Sequence, residues 1–274
     1  MIKMIMSDMD GTLLDNEGRM PAGFDAVIRE LRHRDVLFVP ASGRQYYALL
    51  REMGKYADDF IFLAENGTYV KYRGQEVFSS PMKWPKIHEI VAVAEDIGGI
   101  YPVLCGKKQA YVQPKWKPYI KDAEKYFPRY AFVEDFCHID DEIIKAAFCD
   151  CARAQAETTV YPVMKEHFGR DFQVALSSDY WVDIMNLGVN KGVAVEKIQE
   201  WMGIEPEECA CFGDYLNDEQ MMHSVYYSYA MANAHPKIRE IARFQAKSNE
   251  EQGVLVAIRE MMAHIRKQEF AQES

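Results

Sequence analysis

The sequence predicts an α/β protein: a doubly wound parallel sheet, with a separate α+β module inserted into its chain. Three observations carry this reading. Short, wholly apolar runs alternate with amphipathic helical patterns at both ends of the chain, as in a parallel sheet covered on both faces. The middle of the chain instead alternates apolar and polar residues, the mark of half-buried strands. The apolar runs of the two ends also stop on polar residues, Asp8, Ser42 and Asp214 among them. An open parallel sheet places its functional crevice at such carboxyl ends.

In chain order, Ile2–Ser7 reads as the first strand and ends at Asp8. After the turn-rich GTLLDNEGRMP, residues Phe24, Val27, Ile28 and Leu31 recur at helical spacing. Val36–Val39 is a continuous apolar strand that runs into Pro40-Ala41-Ser42-Gly43. A helix marked by Tyr46, Leu49, Leu50 and Met53 leads to the strand Phe60–Ala64. From about Lys71 to Asp183 the rhythm changes: Gln109–Gln113 and Phe172–Leu176 alternate, with helical patterns over Ile87–Ile97 and, more loosely, Lys117–Tyr126. After Gly192 the first rhythm returns. Ala194, Ile198, Trp201 and Met202 mark a helix, and Cys209–Phe212 and Tyr226–Ala230 read as strands. Val254, Ile258, Met261, Met262 and Ile265 give a long final helix. The expected division is a discontinuous sheet domain of residues 1–81 and 184–274, with 82–183 as the inserted module.

Composition agrees and sets limits. At roughly 150 residues per domain, 274 residues suit about two. A hydrophobic fraction of 49% with 27% charged residues supports a full core and excludes a disordered or collagen-like chain. The formal charge of −10 argues against nucleic-acid or anionic-membrane binding, which need a basic face. No stretch approaches the ~20 apolar residues of a membrane span. Asp8 comes too early for a signal-peptide apolar region. None of the six cysteines stands in a CxxC pair, and the C-x-C pairs (Cys149 with Cys151, Cys209 with Cys211) lie in apolar runs. They read as small hydrophobes on buried strands, in a reduced, cytoplasmic protein whose default state is a monomer.

Four strand ends carry chemistry. In Asp8-Met9-Asp10-Gly11-Thr12 the two carboxylates sit at i and i+2, on one side of an extended segment. Two neighbouring carboxylates repel unless a divalent cation neutralises them or one serves as acid or base. Ser42-Gly43-Arg44, at a strand-to-helix turn, offers a hydroxyl and an amide as an anion cradle, although taken alone a plain helix cap is the stronger reading. Lys191, in Asn190-Lys191-Gly192, opens a helix and could offer a fixed charge to a phosphate; the bland reading is a surface lysine after an Asn cap. Asp214-Tyr215-Leu216-Asn217-Asp218 follows a buried strand with acceptors suited to a hard cation.

Together these four resemble the motifs of the haloacid dehalogenase (HAD) phosphatase superfamily: DMDGT, the Ser of ASGR, the Lys of NKG, and GDYLND. ENGTYV, MANAHPKI and SNEEQGV further resemble its Cof-type branch, subfamily IIB. The resemblance implies a Rossmann-like HAD core. The first two motifs lie 34 residues apart (8 to 42) and the next two 149 (42 to 191), so the insert falls in the second cap position, where the family carries an α+β lid. Position 41 is Ala where Thr is common, and position 215 is Tyr where a small residue is common; Tyr215 is expected to pack against the cap.

Carried over from the resemblance, Asp8 is the nucleophile that forms an aspartyl phosphate, and Asp10 the acid and base. Mg²⁺ is implied on Asp8, the Asp10 backbone carbonyl and Asp214, with Asp218 acting through water. Ser42, Gly43, Lys191 and Asn217 are implied to grip the phosphoryl oxygens. The expected protein is thus a Mg²⁺-dependent phosphatase of a small phosphorylated metabolite, a sugar phosphate or cofactor-like phosphate. A phosphomutase of the same superfamily and a non-catalytic phosphometabolite-binding protein are the alternatives. Dehalogenase chemistry is disfavoured, because halide displacement needs no leaving-group acid such as Asp10. The cap aromatics Trp84, Trp116, Tyr119 and Trp181 read as packing residues rather than substrate stackers.

Overall fold

The computed structural model describes the backbone of residues 1–273 and the side chains of 1–263 other than that of residue 122. Its first stretch runs β1 (Met4–Ser7), α1 (Phe24–His33), β2 (Leu37–Pro40), α2 (Tyr46–Met53), β3 (Ile61–Ala64), β4 (Tyr69–Tyr72) and β5 (Gln75–Ser79). There follow α3 (Trp84–Ile97), β6 (Tyr101–Gly106), β7 (Ala110–Val112), α4 (Ile120–Ala123), β8 (Tyr130–Phe132), β9 (Ile143–Cys149), α5 (Ala156–Phe168), β10 (Phe172–Leu176) and β11 (Trp181–Asn186). The chain closes with α6 (Lys191–Met202), β12 (Cys209–Gly213), α7 (Glu219–His223), β13 (Tyr227–Ala230), α8 (Pro236–Ile241), β14 (Phe244–Gln245) and α9 (Gly253–Glu273).

The body is a parallel sheet in the order β14-β13-β12-β1-β2. A parallel bridge from Ala41 to Leu63 carries it on to β3, which continues antiparallel through β4 and β5. β1, β2 and β12 are apolar without alternation because both faces are covered; Met4, Ile5, Met6, Val39 and Cys209–Phe212 are sealed from solvent. From β1 the chain steps outward to β2, and it later returns to β12 on the other side. That reversal opens a crevice at the carboxyl ends of β1 and β12.

The cap is a six-stranded sheet, β10-β11-β9-β6-β7-β8, antiparallel apart from the β7–β8 pair. Helices α3 and α5 cover one face through Ile87, Ile90, Val160 and Met164. The other face carries Val103, Ala147, Cys149 and Trp181, with Trp116 and Phe127 against them. Two-residue alternation puts Lys145 of β9 on this second face, and cross-strand register adds Asp183 beside Ala147. This face turns towards the body.

Several expectations change. Cys149 and Cys151 are joined as a disulfide, Cα–Cα 5.1 Å, rather than free as the sequence suggested. β9 ends at Cys149 and the chain turns about buried Asp150, which brings Cys151 back onto its neighbour. Cys209 and Cys211 are free and buried, as expected. The helix expected over Lys117–Tyr126 shrinks to the single turn α4, since the chain must bend to bury Trp116, Ala123 and Phe127 together. Trp201 is half exposed and meets Tyr72 edge-on at 5.8 Å, because α6 has passed the sheet margin there. The side chain of Ile265 lies outside the described residues. Among those described, no helix is long and apolar enough to cross a membrane.

Candidate active site

Asp8 leaves the end of β1 with its N–H donating to the Phe212 carbonyl at 3.0 Å, which ties it to β12. The chain then makes one wide turn, Met9–Leu13, closed by Leu13 and Leu14 N–H groups donating to the Asp8 and Met9 carbonyls. Gly11 sits in that turn at φ +74°, and a Cβ there would run into the Asp214 carboxylate. Thr12 Oγ1 donates to Asp214 Oδ1 at 2.6 Å. The Asp218 carboxylate accepts from the N–H groups of Asp214 (3.0 Å) and Tyr215 (3.2 Å). Asp8, Asp214 and Asp218 thereby bring carboxylate oxygens within 4.8 Å of one another.

Lys191 stands in the first turn of α6, after Asn190, whose side chain accepts from the Val193 N–H. The cap reading is right, but the lysine is no surface residue. It is fully buried, with Nζ 2.5 Å from Asp8 and 2.6 Å from Asp218. Two carboxylates thus share one ammonium, with that of Asp214 alongside. Burial lifts Asp8 well above the ordinary carboxylate range; Lys191 opposes this, while Asp218 and Asp214 add to it. Asp214 is pushed up to about 7, by burial first and by Asp218 next. Burial works against the charge on Lys191, yet Asp218 and Asp8 hold its pKa above the usual value. Such a deficit of positive charge among hard oxygen donors suits a divalent cation.

Asp10 lines the same cavity as Asp8, but its carboxylate lies outside the cluster of three. Arg44 holds it with two N–H donors, at 2.6 and 2.5 Å. The carboxylate oxygens therefore face Arg44, and the metal contact that the resemblance implies for Asp10 rests on its backbone carbonyl. Arg44 is buried between Asp10, Glu52 and the ring of Tyr126, 5.6 Å away. Ser42 is buried at the end of β2, its Oγ accepting from the Arg44 N–H at 3.1 Å.

The cap closes over these residues. A cavity of about 100 Å³ is floored by Asp8, Asp10, Ser42, Gly43 and Asn217 and roofed by Tyr126, Phe127, Lys145, Ser177, Ser178 and Trp181. Lys145 donates to the Gly43 carbonyl at 2.6 Å and pairs with Glu65, also at 2.6 Å. Gln45 and Arg129 exchange hydrogen bonds, and Gln45 N–H donates to the Tyr126 carbonyl. Tyr215 packs on the cap cluster, as expected. Trp116 is buried packing, but Trp181 both stacks on it and lines the cavity. Trp84 and Tyr119 are partly buried against the cap clusters, as packing residues should be. Sequence reasoning gave no role to Arg44, Glu65, Lys145 or Asp183. For Lys145 a signal existed: a lysine inside the apolar run IIKAAFC is rare unless paired.

The model of the haloacid dehalogenase-like hydrolases matches residues 5–258. The chain belongs to that family. This HAD hydrolase is 30% identical over 266 residues to a 5-amino-6-(5-phospho-D-ribitylamino)uracil phosphatase of Escherichia coli (strain K12), covering 96% of this chain and 97% of that one. Among solved structures it is similar to a Streptococcus mutans UA159 protein, 26% identical with a TM-score of 0.88, covering 96% and 100% of the two chains. A HAD subclass IIB sugar phosphatase, 18% identical with a TM-score of 0.80 over 94% and 98% of the two chains, shares the fold. The protein is a HAD-type phosphatase.

Proposed function

We propose that this phosphatase hydrolyses a small phosphorylated metabolite through an aspartyl phosphate on Asp8, with Mg²⁺ as cofactor. The observation that carries the reading is the placement of Asp8: at the carboxyl end of β1, 2.5 Å from buried Lys191, beside Asp214 and Asp218, on the floor of the capped cavity. Asp8 attacks phosphorus and the bond to the leaving oxygen breaks, with Asp10, protonated once released from its Arg44 pair, supplying the proton. Asp10 then takes a proton from the water that attacks the aspartyl phosphate, and inorganic phosphate leaves. Ser42 Oγ, the Gly43 N–H, Lys191 and the Asn217 amide donate to the phosphoryl oxygens. Asp8, Asp214, Asp218 and the Asp10 backbone carbonyl would hold Mg²⁺, whose charge would let one anion approach another.

The cap supplies aromatic rings and hydroxyls to the leaving group: Tyr126, Phe127 and Trp181 beside Ser177 and Ser178. The phosphorylated ribityl pyrimidine named for the Escherichia coli relative and simple sugar phosphates are therefore the first compounds to test. Release of inorganic phosphate across that panel, with and without Mg²⁺, is the experiment. Turnover of at least one member that ceases in Asp8→Asn supports the reading. Full turnover by Asp8→Asn, or in excess EDTA, would overturn the nucleophile or the metal respectively.

A further inference from the structure

Glu65, Asn66 and Gly67 hold three successive left-handed φ angles, +52°, +56° and +94°. Two non-glycine residues in that region persist only where the surroundings over-determine them. The Asn66 N–H donates to the Ser42 carbonyl, and Gly67 lies against the Asn190 carbonyl, leaving no room for a Cβ. What the strained turn presents is one buried side-chain amide. Its Nδ2 donates to Asp183 Oδ2 at 2.5 Å and to Ser177 Oγ at 2.9 Å, both on the cap. Its Oδ1 accepts from Asn217 Nδ2 at 3.0 Å, on the body.

The orientation of that amide follows from chemistry. An ionised carboxylate only accepts, so Asp183 fixes the NH₂ end of Asn66 towards the cap. The carbonyl end must then face Asn217, and Asn217 must turn its own NH₂ inward to meet it. One N–H of Asn217 remains for an anion in the cavity. We infer that Asp183 and Asn66 are positioning residues that orient Asn217 as a phosphoryl donor, so that the grip on phosphate is completed by the closed cap. The inference rests on Asn217 being a phosphoryl ligand, as proposed above. Because Asp183 and Ser177 belong to the cap, closure tightens phosphate binding, and by linkage bound phosphate favours closure by the same factor.

The experiment measures competitive inhibition of p-nitrophenyl phosphate hydrolysis by inorganic phosphate. Asn66→Gly removes the amide while glycine accepts the left-handed backbone. Asn66→Gly and Asp183→Ala are each expected to raise the inhibition constant by roughly 10-fold, within the usual range of coupled sites, and the double variant by no more than the larger single effect. Directly bonded residues couple whatever their role, so the distinction rests on a pair joined through Asn66 rather than by a bond of their own. A second cycle, Asp183→Ala with Asn217→Ala, carries the same expectation and does not depend on Asn66→Gly folding. Multiplying effects, or an unchanged constant in Asp183→Ala, overturn the inference alone. An unchanged constant in Asn217→Ala overturns the phosphoryl-ligand reading as well.

Discussion

Lys191 is where a single side chain governs the site. Its ammonium stands between Asp8 and Asp218, and all three are almost sealed from water. Lys191→Ala is therefore expected to lower kcat/KM by at least ~10² through lost charge stabilisation. It should also destabilise the metal-free fold by about 3–5 kcal/mol, because buried carboxylates lose their partner. Steady-state kinetics and urea unfolding of the same variant check both; an unaltered stability would show that Asp8 and Asp218 do not depend on the ammonium. The two aspartates of the first motif separate by leaving group. Asp8→Asn should abolish phosphoenzyme and turnover, whereas Asp10→Asn should lose more on alkyl than on aryl phosphates, by a further ~10²–10⁴-fold, since nitrophenolate needs no proton. Quenched mass spectrometry and paired substrates test this, with equal losses counting against the assignment. These residues were legible because reactive side chains stood where apolar runs stop. Arg44 and Asp183 were not, and Lys145 showed only as a lysine within an apolar run, because their meaning lies in partners far along the chain: Asn66 and Asp183 are 117 positions apart. No local spacing reports such a pairing.

At the scale of the element, the turns that set the site are stricter than the strands that carry it. Gly67 and Gly74 both have left-handed backbones, but a Cβ at Gly67 would strike the Asn190 carbonyl while one at Gly74 would meet nothing within 4 Å. Gly74→Ala should cost only the backbone strain, about 1–2 kcal/mol, and leave activity unchanged. Gly67→Ala should cost more and lower activity, because Asn190 caps the helix that begins with Lys191. Thermal melts and kcat/KM on the pair decide it, and equal behaviour would mean that the 65–67 turn yields freely. Strands and helices of the body were readable from apolar runs and helical spacing: Phe24, Val27, Ile28 and Leu31 are all buried. The turn at Ile120–Ala123 was not readable, since tertiary burial of Trp116 and Phe127 overrides a loose helical pattern. The Cys149–Cys151 link was likewise hidden, because it depends on a reversal at Asp150 that apolar flanks do not announce.

For the whole molecule, the acidic centre is expected to make stability a function of pH and divalent metal together. Asp8 is raised well above the carboxylate range and Asp214 to about 7, both chiefly by burial. A carboxyl with a raised folded pKa stabilises the fold fully below its unfolded value of about 3.9, and that advantage is lost as pH rises through about 7. The metal-free protein should thus lose stability from about pH 4 to pH 7, apart from other groups, and Mg²⁺ should raise Tm more at pH 8 than at pH 5. Scanning fluorimetry at both pH values measures this, and an equal shift would show that these carboxylates do not bind the ion. The two-layer plan of body and cap was visible in the changing rhythm of the chain, but the seating of one on the other was not. That seating has a consequence for recombination between relatives. The cap grips the body through Gln45 and Arg51 on one side and through Glu65 and Asn66 on the other. A lid grafted at the two chain crossings closes only if it brings partners for these four positions. One lacking the equivalents of Lys145 and Asp183 would leave buried Glu65 without its ammonium and the Asn66 amide without an acceptor, and the four would then have to travel with the lid.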